Sequence, residues 1–344
     1  MATNPILVEV RRGNLVESTH RGAIAIVDAD GKVAVALGNV EAQIFPRSAV
    51  KSMQAIPLIE SGAADAFRLD DGEFAIACGS HSGEAKHLAT VRSILAKAGV
   101  EETCLACGAH LPLGDRAAQE LERAGRNASP IHNNCSGKHA GMLATAKHLG
   151  LDLEGYERLE HPVQKAIKRV VSEVCGVELG PESTGIDGCS VPTFAVPLQA
   201  LAHGMARLGT GQDLPIPRAV AAQRLIQACF AAPELVAGEG RFDTIAMRAF
   251  GPKVFVKGGA EGLHCGALPD IGLGIALKID DGGKRAADTA ITEILAALIP
   301  GAGKILGERF AGEISNWRGQ RVGRIEASAE LTGTLREFAA SAPR

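Results

Sequence analysis

The sequence predicts an α/β or α+β fold whose sheet is formed by both ends of the chain. Strand-like segments fill the first forty residues, helical patterns dominate the middle, and strand-like segments return near residue 254. Strands at both ends that enclose a run of helices indicate a sheet packed against a helical part. We therefore expect a single domain over 1–344, with a sheet part from about 1–45 and 240–344 and a mostly helical part from about 46–239.

Apolar patterning predicts the strands. VEVRRG, AIAIVDADG and VAVALG alternate or run apolar near the start, and DADGK is a strong hairpin turn. KVFVK, LHCGAL and LGIALKID have the same character in the last third of the chain. FAIACG, at residues 74–79, predicts a further short buried strand.

Apolar residues at helical spacing predict the helices. SAVKSMQAIPLIESG is expected to form a helix broken near Pro57, and SGEAKHLATVRSILAKAG a helix that ends at a glycine. Two helices divided near LDLEGYE are expected between residues 140 and 175, and another follows SVPTFAVPL. A Gly/Pro-rich link at 209–217 precedes AVAAQRLIQACFAAP, and ADTAITEILAALI predicts the last clear helix; the tail is mixed.

Composition excludes several classes of protein. Of 344 residues, 46% are hydrophobic and 22% charged, which is typical of a globular chain with a sizeable core. A net charge of −3 without a basic cluster gives no reason to expect a nucleic-acid partner. The N-terminus has no signal-peptide pattern, and no stretch approaches the length of a membrane span. We expect a soluble, cytoplasmic protein.

The cysteines do not form a recognisable framework. Eight are dispersed along the chain, which argues against structural disulfides. Cys104 and Cys107 form a lone Cys-x-x-Cys pair and are expected to be structural. Any functional role for another cysteine has to be argued against the usual fate of a free cysteine, which is burial as a small apolar residue.

The stretch IHNNCSGKHAGML at residues 131–143 concentrates reactive side chains. A phosphate-binding loop would need a glycine five places before the Gly137-Lys138 pair and Ser or Thr after it. His132 and His139 occupy those two positions, so this interpretation fails. A metal site, a nucleophile with its base and a polar helix cap stay open at this point.

Ser48-x-x-Lys51 stands at the expected start of a helix. A spacing of three places both side chains on one helical face. The helix N-terminus favours an alkoxide and a neutral amine. Serine–lysine catalysis requires a lysine that has lost its proton, and burial and nearby cations are needed to achieve this at neutral pH. The alternative is a capped helix with an exposed lysine.

Two further motifs follow in an informative order. Ser80-His81-Ser82 and Lys257-Gly-Gly come after Ser48-x-x-Lys51, as a serine motif and a Lys-Thr-Gly motif do in penicillin-recognising enzymes. This chain has Gly in place of Thr in the third motif and His in the middle one. Taken singly, the two motifs are equally compatible with a helix N-cap and a solvated lysine. Together the three favour a serine hydrolase.

The loop TGIDGCSVP, residues 184–192, is a fourth candidate. Its Asp187 is suited to pair with a substrate ammonium group or to cap a turn. Cys189 and Cys135, with a third donor, could bind zinc, although their spacing is not that of a zinc finger. From the residues alone the metal is the less favoured interpretation.

Five segments together resemble one family, the rhizobial-type (thermolabile) L-asparaginase II family. They are FPRSAVKSMQ, CGSHSGE, HNNCSGKHAGML, GIDGCSVPTFAVPL and KGGAEG, and the resemblance continues to ISNWRGQRVGRIEA. It implies an antiparallel sheet flanked by helices, with the architecture of serine β-lactamases and glutaminases. It also implies hydrolysis of the side-chain amide of L-asparagine to L-aspartate and ammonia.

The resemblance further implies roles for particular residues. Ser48 with Lys51, and Ser80 with Lys257, would form two Ser–Lys dyads. One zinc ion per chain would lie on Cys135, Lys138 and Cys189, beside the nucleophile rather than at it. His139 and Asp187 would help to recognise the substrate, and the protein would be a homodimer.

We expect a double displacement in which Ser48, deprotonated by Lys51, forms a β-aspartyl ester that water then hydrolyses. Arg47 is our own inference for the α-carboxylate, because its planar fork suits a bidentate pair. Three alternatives stay open. They are a glutaminase or penicillin-binding enzyme on the same scaffold, a hydrolase in which zinc activates water, and an amino-acid-binding protein without activity.

Overall fold

A computed structural model describes residues 3–341 of the chain. The strands in this part are β1 (Ile6–Arg12), β2 (Leu15–Asp28), β3 (Val33–Leu37), β4 (Gln43–Ile44), β5 (Thr184–Ile186), β6 (Pro192–Phe194), β7 (Val196–Pro197), β8 (Phe255–Gly258), β9 (Leu263–Leu268), β10 (Leu273–Ile279), β11 (Gly312–Ser315) and β12 (Arg321–Ala327). The predicted strands at both chain ends are confirmed.

Helices fill the middle of the chain and flank the late strands. They are α1 (Lys51–Glu60), α2 (Ala63–Ala66), α3 (Asp71–Ala77), α4 (Ala85–Ala98), α5 (Asp115–Arg123), α6 (Ser136–His148), α7 (Pro162–Cys175), α8 (Leu198–Thr210), α9 (Ile216–Ala231), α10 (Pro233–Val236), α11 (Phe242–Phe250), α12 (Lys284–Leu298), α13 (Ala302–Phe310) and α14 (Ala329–Ser341). Helix α4 ends at Gly99 in the left-handed conformation, as the glycine predicted. Within residues 3–341, no helix combines the length and apolar character that crossing a membrane requires.

One antiparallel sheet joins the two ends of the chain. Its strand order is β11-β12-β1-β2-β10-β9-β8, with β3 paired to β2. Strand β2 links the ends because its residues 22–28 pair antiparallel with β10. The sheet takes its strands from residues 6–37 and 255–327, while α1–α11 lie between these ranges in sequence. The predicted fold class is confirmed, and the number of domains stays a prediction.

Helices cover both faces of the central strands. Every residue of β9 is buried, which is typical of a strand covered on both sides. Helix α8 packs against β2, β9 and β10, and α12 contacts β1, β9, β10 and β12. The sheet thereby supplies a rigid support for the turn between β8 and β9.

Two local predictions are wrong. Residues 74–79 do not form a strand: Asp71–Ala77 is helix α3, which begins with a capping box between Asp70 and Glu73. A short apolar run buried on all sides carries no periodicity that separates helix from strand. Helix α1 is not broken at Pro57 either, since it continues through the proline to Glu60.

Candidate active site

A cavity of about 290 Å³ lies between the helical part and the β8–β9 edge of the sheet. Its wall includes a 3-10 turn that precedes α1, the loop of residues 78–83, the starts of α11 and α12, and the β8–β9 turn. Ser48 and Ser80, which the sequence placed in separate motifs, both line it. The volume is near the lower end for small-molecule sites.

Ser48 lies in the 3-10 turn Arg47–Val50, which leads directly into α1. Arg47 has φ of 51°, a left-handed conformation that costs a non-glycine residue about 1 kcal/mol or more. The half-buried Ser48 hydroxyl faces the cavity and makes no hydrogen bond within residues 3–341. Backbone strain beside an uncommitted hydroxyl is a common feature of functional sites.

Lys51, on the first turn of α1, is completely buried. Its Nζ donates to Gly79 O at 2.5 Å, to Ser80 Oγ at 3.0 Å and to Asn134 O at 3.4 Å. Ser48 and Lys51, the dyad implied by the resemblance, make no hydrogen bond to each other in the described part of the chain. Lys51 instead connects Ser80 with the segment that precedes α6.

The surroundings of Lys51 disfavour its charged form. Burial is the main reason that the pKa of Lys51 is lowered from 10.5 to about 8. The thiol of Cys135 opposes this shift, while the positive charges of Lys138 and Lys257 add to it. The site therefore contains the neutral-amine candidate that serine–lysine chemistry needs.

The loop that carries Ser80 joins two helices, α3 and α4, and not the predicted strand and helix. Ser80 is buried, its backbone N–H donates to Val236 O at 2.7 Å, and its carbonyl oxygen accepts from Arg241. Its hydroxyl accepts a hydrogen bond from Lys51 Nζ, so the hydroxyl, the N–H and the carbonyl of Ser80 are all hydrogen-bonded. Its side chain is consequently more constrained than that of Ser48.

The next residue in this loop, His81, is buried and neutral. Its Nδ1 accepts the Gly83 N–H at 3.2 Å, which leaves the proton on Nε2 facing Ser136 Oγ at 2.8 Å. The ring stacks on His87 at a centroid distance of 5.2 Å. Burial, followed by the charge of His87, lowers the pKa of His81 well below its usual value.

Lys257, at the end of β8, pairs with a residue that the sequence analysis did not select. Its Nζ lies 3.3 Å from Asp243 Oδ2, and both side chains are almost fully buried. Ser80 and Lys257, the second dyad implied by the resemblance, make no hydrogen bond to each other within residues 3–341. Burial alone would raise the pKa of Asp243, but the charges of Lys257 and His264 outweigh it and the pKa is lowered.

Crowding explains why glycines follow Lys257. A Cβ on Gly259 would lie 2.8 Å from Pro46 O, so the β8–β9 turn can approach the Ser48 turn only without a side chain there. At Gly258 a Cβ would lie 3.1 Å from the His264 ring. The Lys-Gly-Gly sequence in place of Lys-Thr-Gly is therefore consistent with this site.

Cys135, Lys138 and Cys189, which we call the thiol cluster, lie together. Lys138 Nζ is 3.2 Å from Cys189 Sγ, and Cys135 Sγ lies 3.2 Å from Asn134 Oδ1. Interaction with the Cys189 thiol and the positive charges of Lys51 and Lys138 lower the pKa of Cys135, although burial opposes them. Burial by itself lowers the pKa of Lys138, but the two thiols outweigh it and raise the pKa. The cluster thus carries compensating charges.

Within residues 3–341, no group of three or more His, Cys, Asp or Glu side chains could hold a metal ion. The candidate donor set in the thiol cluster is two sulfurs and one lysine amine. Thiolate and nitrogen ligands suit zinc. The chemistry of the donor set therefore fits the expected metal.

Arg47 and Asp187 are paired with each other. The Arg47 guanidinium lies 2.6 Å from Asp187 Oδ1. Burial alone would raise the pKa of Asp187, but the charges of Lys138 and Arg47 lower it. Neither residue lines the cavity that contains Ser48. Their predicted contacts with a substrate are not tested by this arrangement.

His139 is buried beside Tyr156. Its Nδ1 lies 2.6 Å from the Tyr156 hydroxyl, which accepts the Ala106 N–H at 2.9 Å. The other ring nitrogen, Nε2, makes no hydrogen bond in the described residues. Burial lowers the pKa of His139 well below its usual value, so the ring is neutral.

Comparison with models of protein families shows which family the chain belongs to. Residues 8–327 match the model described as L-asparaginase II, which covers nearly the whole sequence. The chain belongs to the L-asparaginase II family. That membership places it with the asparaginase-type amidohydrolases, which act on small amide substrates. No curated protein matches the chain.

Solved structures are more distant from this member of the L-asparaginase II family. The structure of Mglu in its native form is 17% identical over 83% of this chain and 66% of that chain, with a TM-score of 0.36. Mglu in its glutamate form is 14% identical over 80% of this chain and 60% of that chain, with a TM-score of 0.37. The chain therefore spans less than two thirds of their length.

Several residues at or near the site of this L-asparaginase II family member were not predicted from the sequence. They are Asn134, Tyr156, Arg241, Asp243, Glu261, His264 and Asp288. Asp243 reaches Lys257 across the start of α11, and Arg241 reaches Ser80 from 161 positions away. Asn134 and Glu261 stand in segments that the sequence singles out, but neither was selected there, and the other residues belong to no motif of fixed spacing. GRFDT, at the start of α11, places an arginine and an aspartate close together.

Proposed function

We propose that the protein hydrolyses the side-chain amide of L-asparagine through an ester on Ser48. The observation that carries this proposal is the uncommitted Ser48 hydroxyl on the wall of a small cavity, with a buried lysine on the next helical turn. The L-asparaginase II family match supports asparagine as the substrate. Residues 47–51 supply the nucleophile and its base from one continuous element.

In the first step Ser48 Oγ attacks the amide carbon. The Ser48 proton passes to Lys51 by way of Ser80 Oγ, which already accepts a hydrogen bond from Lys51 Nζ at 3.0 Å. Lys51 then returns the proton to the amide nitrogen as the C–N bond breaks, and ammonia leaves. The product of this step is a β-aspartyl ester on Ser48.

In the second step water attacks the ester. Lys51 takes a proton from the water, the C–O bond to Ser48 breaks, and the serine recovers its proton. Aspartate is released, so that one water is consumed for each ammonia formed. The same base serves both steps, with its protonation state restored at the end of the cycle.

The lowered pKa of Lys51 makes this role energetically accessible. At pH 7, neutralising a lysine with the ordinary pKa costs about 5 kcal/mol. With a pKa of about 8 the cost falls to about 1 kcal/mol. Burial in the helical part thereby supplies most of the activation of the base.

Positive groups beside the cavity favour the negative charge that develops on the carbonyl oxygen. The Ser48 N–H lies in the first turn of its helix, where N–H groups have no intrahelical acceptor. Lys257 adds a cationic group next to the cavity wall, held by Asp243. We assign Lys257 an electrostatic role in preference to the Ser80–Lys257 dyad that the family resemblance implies.

The thiol cluster is proposed to hold one zinc ion through Cys135, Lys138 and Cys189. A bound zinc would supply a fixed positive charge near the substrate and keep Lys138 neutral. Within the chain, Lys51 Nζ reaches Asn134 O, one residue before Cys135, and this contact joins the cluster to the base. His139 and Asp187 as substrate contacts, and the homodimer, stay predictions.

Ammonia release from L-asparagine and L-glutamine tests the proposal. Wild type is expected to release ammonia from asparagine in preference to glutamine, and Ser48→Ala to lose at least about 10³-fold in kcat. Chelation should leave the wild type more active than Ser48→Ala. Near-normal turnover by Ser48→Ala, together with complete loss on chelation, would instead support a zinc-activated water.

A further inference from the structure

Four charged side chains line the cavity, and two of them are already paired. The four are Arg241, Asp243, Glu261 and Lys284. Asp243 pairs with Lys257 at 3.3 Å, and Lys284 pairs with Asp288 on its own helix. Arg241 and Glu261 have no ion-pair partner within residues 3–341. The cavity thus offers one free cation and one free anion among its described lining residues.

Arg241 is held in place but not neutralised. Its Nη1 donates to Ser80 O and, at 3.4 Å, to Ala237 O, so backbone carbonyls fix the half-buried guanidinium beside the Ser80 loop. Its Nε and Nη2 make no hydrogen bond within the described residues. A planar fork with two open donors is the arrangement that binds a carboxylate in a bidentate way.

Glu261 stands in the turn between β8 and β9. Its backbone has φ of 59°, a conformation for which glycine is favoured, and its side chain is exposed without a hydrogen bond in the described part of the chain. The next residue, Gly262, shares this conformation with φ of 66°. A glutamate kept in a strained turn on the cavity wall is consistent with a binding role.

Arg47 and Asp187 provide the contrast. They would recognise an amino acid only after their own ion pair, at 2.6 Å, had opened. We infer that Arg241 binds the α-carboxylate of the substrate and Glu261 its α-ammonium group, on the cavity wall next to Ser48 and Ser80. This inference rests on the proposed function, since it concerns recognition of the amino-acid end of the same substrate.

Truncated amides test each contact separately. β-Alaninamide is asparagine without its carboxylate, and succinamate is asparagine without its ammonium group. For Arg241→Met, kcat/KM should fall about 10- to 150-fold with asparagine and less than about threefold with β-alaninamide. For Glu261→Gln, kcat/KM should fall about three- to tenfold with asparagine and stay unchanged with succinamate. The loss is smaller because the pair between Glu261 and the substrate ammonium group is more exposed to solvent.

Two variants control for structural effects. Arg248→Met removes an arginine of α11, the helix that begins directly after Arg241; Arg248 is exposed and pairs with Glu239, so activity with all three substrates should be unaffected. Arg241→Lys keeps the charge but loses the fork, and should still lose activity selectively with asparagine. The comparison of asparagine with β-alaninamide in Arg241→Lys still tests the inference if Arg241→Met does not fold.

Equal losses with asparagine and β-alaninamide in both Arg241 variants would overturn the inference, because they would show that Arg241 only holds the Ser80 loop. If kcat/KM fell selectively with asparagine in Arg47→Met and did not change in Arg241→Met, Arg47 and not Arg241 would be the residue that binds the α-carboxylate. A wild type that releases no ammonia from asparagine would contradict the proposed function itself. These results are distinct from one another.

Discussion

The cavity wall and the thiol cluster differ in how their polar groups are paired. At the cavity wall Ser48, Arg241 and Glu261 keep open hydrogen-bonding capacity, and they face a volume of about 290 Å³. In the thiol cluster, Lys138 and Cys189 satisfy each other at 3.2 Å. Unpaired groups around a cavity are suited to meet a substrate, whereas mutually paired buried groups are suited to hold a metal or a backbone. Lys51 lies between the two regions.

The largest expected effect separates the two regions through their lysines. Lys51→Met should lower kcat for asparagine about 10³-fold, since it removes the general base. Lys138→Met should lower kcat by only about 10- to 100-fold, the range for a supporting ligand. Steady-state ammonia release measures both. Equal losses of kcat in the two variants would contradict the different catalytic roles given to Lys51 and to the thiol cluster.

A second prediction concerns the paired part of the cavity wall. Asp243→Asn leaves the Lys257 ammonium buried without a counter-charge, and the free energy of unfolding should fall by about 3–5 kcal/mol. Urea denaturation measures the change. The double variant Asp243→Asn/Lys257→Met removes both charges and should recover part of the lost stability. Asp243 also accepts hydrogen bonds from the Gly258 N–H at 3.1 Å, and no recovery would show that it stabilises the fold through these bonds and not through the ion pair.

A third prediction concerns metal content. Purified wild type should carry about one zinc per chain by elemental analysis, whereas Cys135→Ser and Cys189→Ser should lose it. Cys104→Ser is the matched control and should retain zinc. We expect kcat of Cys135→Ser to fall about tenfold. Loss of zinc with unchanged kcat and KM would reduce the metal to a structural role.

The smallest expected effect is on stability in acid. The folded-state pKa of His81 is depressed by burial, with His87, Lys51, His110 and Arg241 adding to the effect. Its contribution to stability is therefore complete above the unfolded-state pKa, near 6.5, and is lost as pH falls below it. The free energy of unfolding should decrease by up to about 1.4 kcal/mol per pH unit for this ring. His81→Gln should show a shallower decrease between pH 7 and 5, and an unchanged slope would exclude His81 as a cause.

Much of the scaffold could be predicted because it depends on local patterns. Alternating or continuous apolar residues predicted the strands at both ends of the chain, and Gly99 predicted the end of α4. The run FAIACG was misassigned because its residues in helix α3, Phe74–Ala77, are all apolar and buried, which leaves no periodicity to indicate a helix. Ser48, Ser80 and Lys257 were found because each stands in a motif of fixed spacing.

The pairing of these groups could not be predicted. Lys51 bonds Ser80, and Lys257 pairs with Asp243, since the fold decides which ends of long side chains meet. Arg241 and Glu261 are distinguished from the other charged residues of the cavity because they have no ion-pair partner in the described residues. A sequence does not show which charged side chains are paired, so these two residues could not be selected from it.

The central claim is that Ser48, and not its better-anchored neighbour Ser80, carries the acyl group. Wild type mixed with L-asparagine and quenched in acid during turnover can be digested and mapped by tandem mass spectrometry. We predict a β-aspartyl ester on Ser48 that is absent from Ser48→Ala. An ester on Ser80, or ammonia release without any ester in the quenched wild type, would contradict the account.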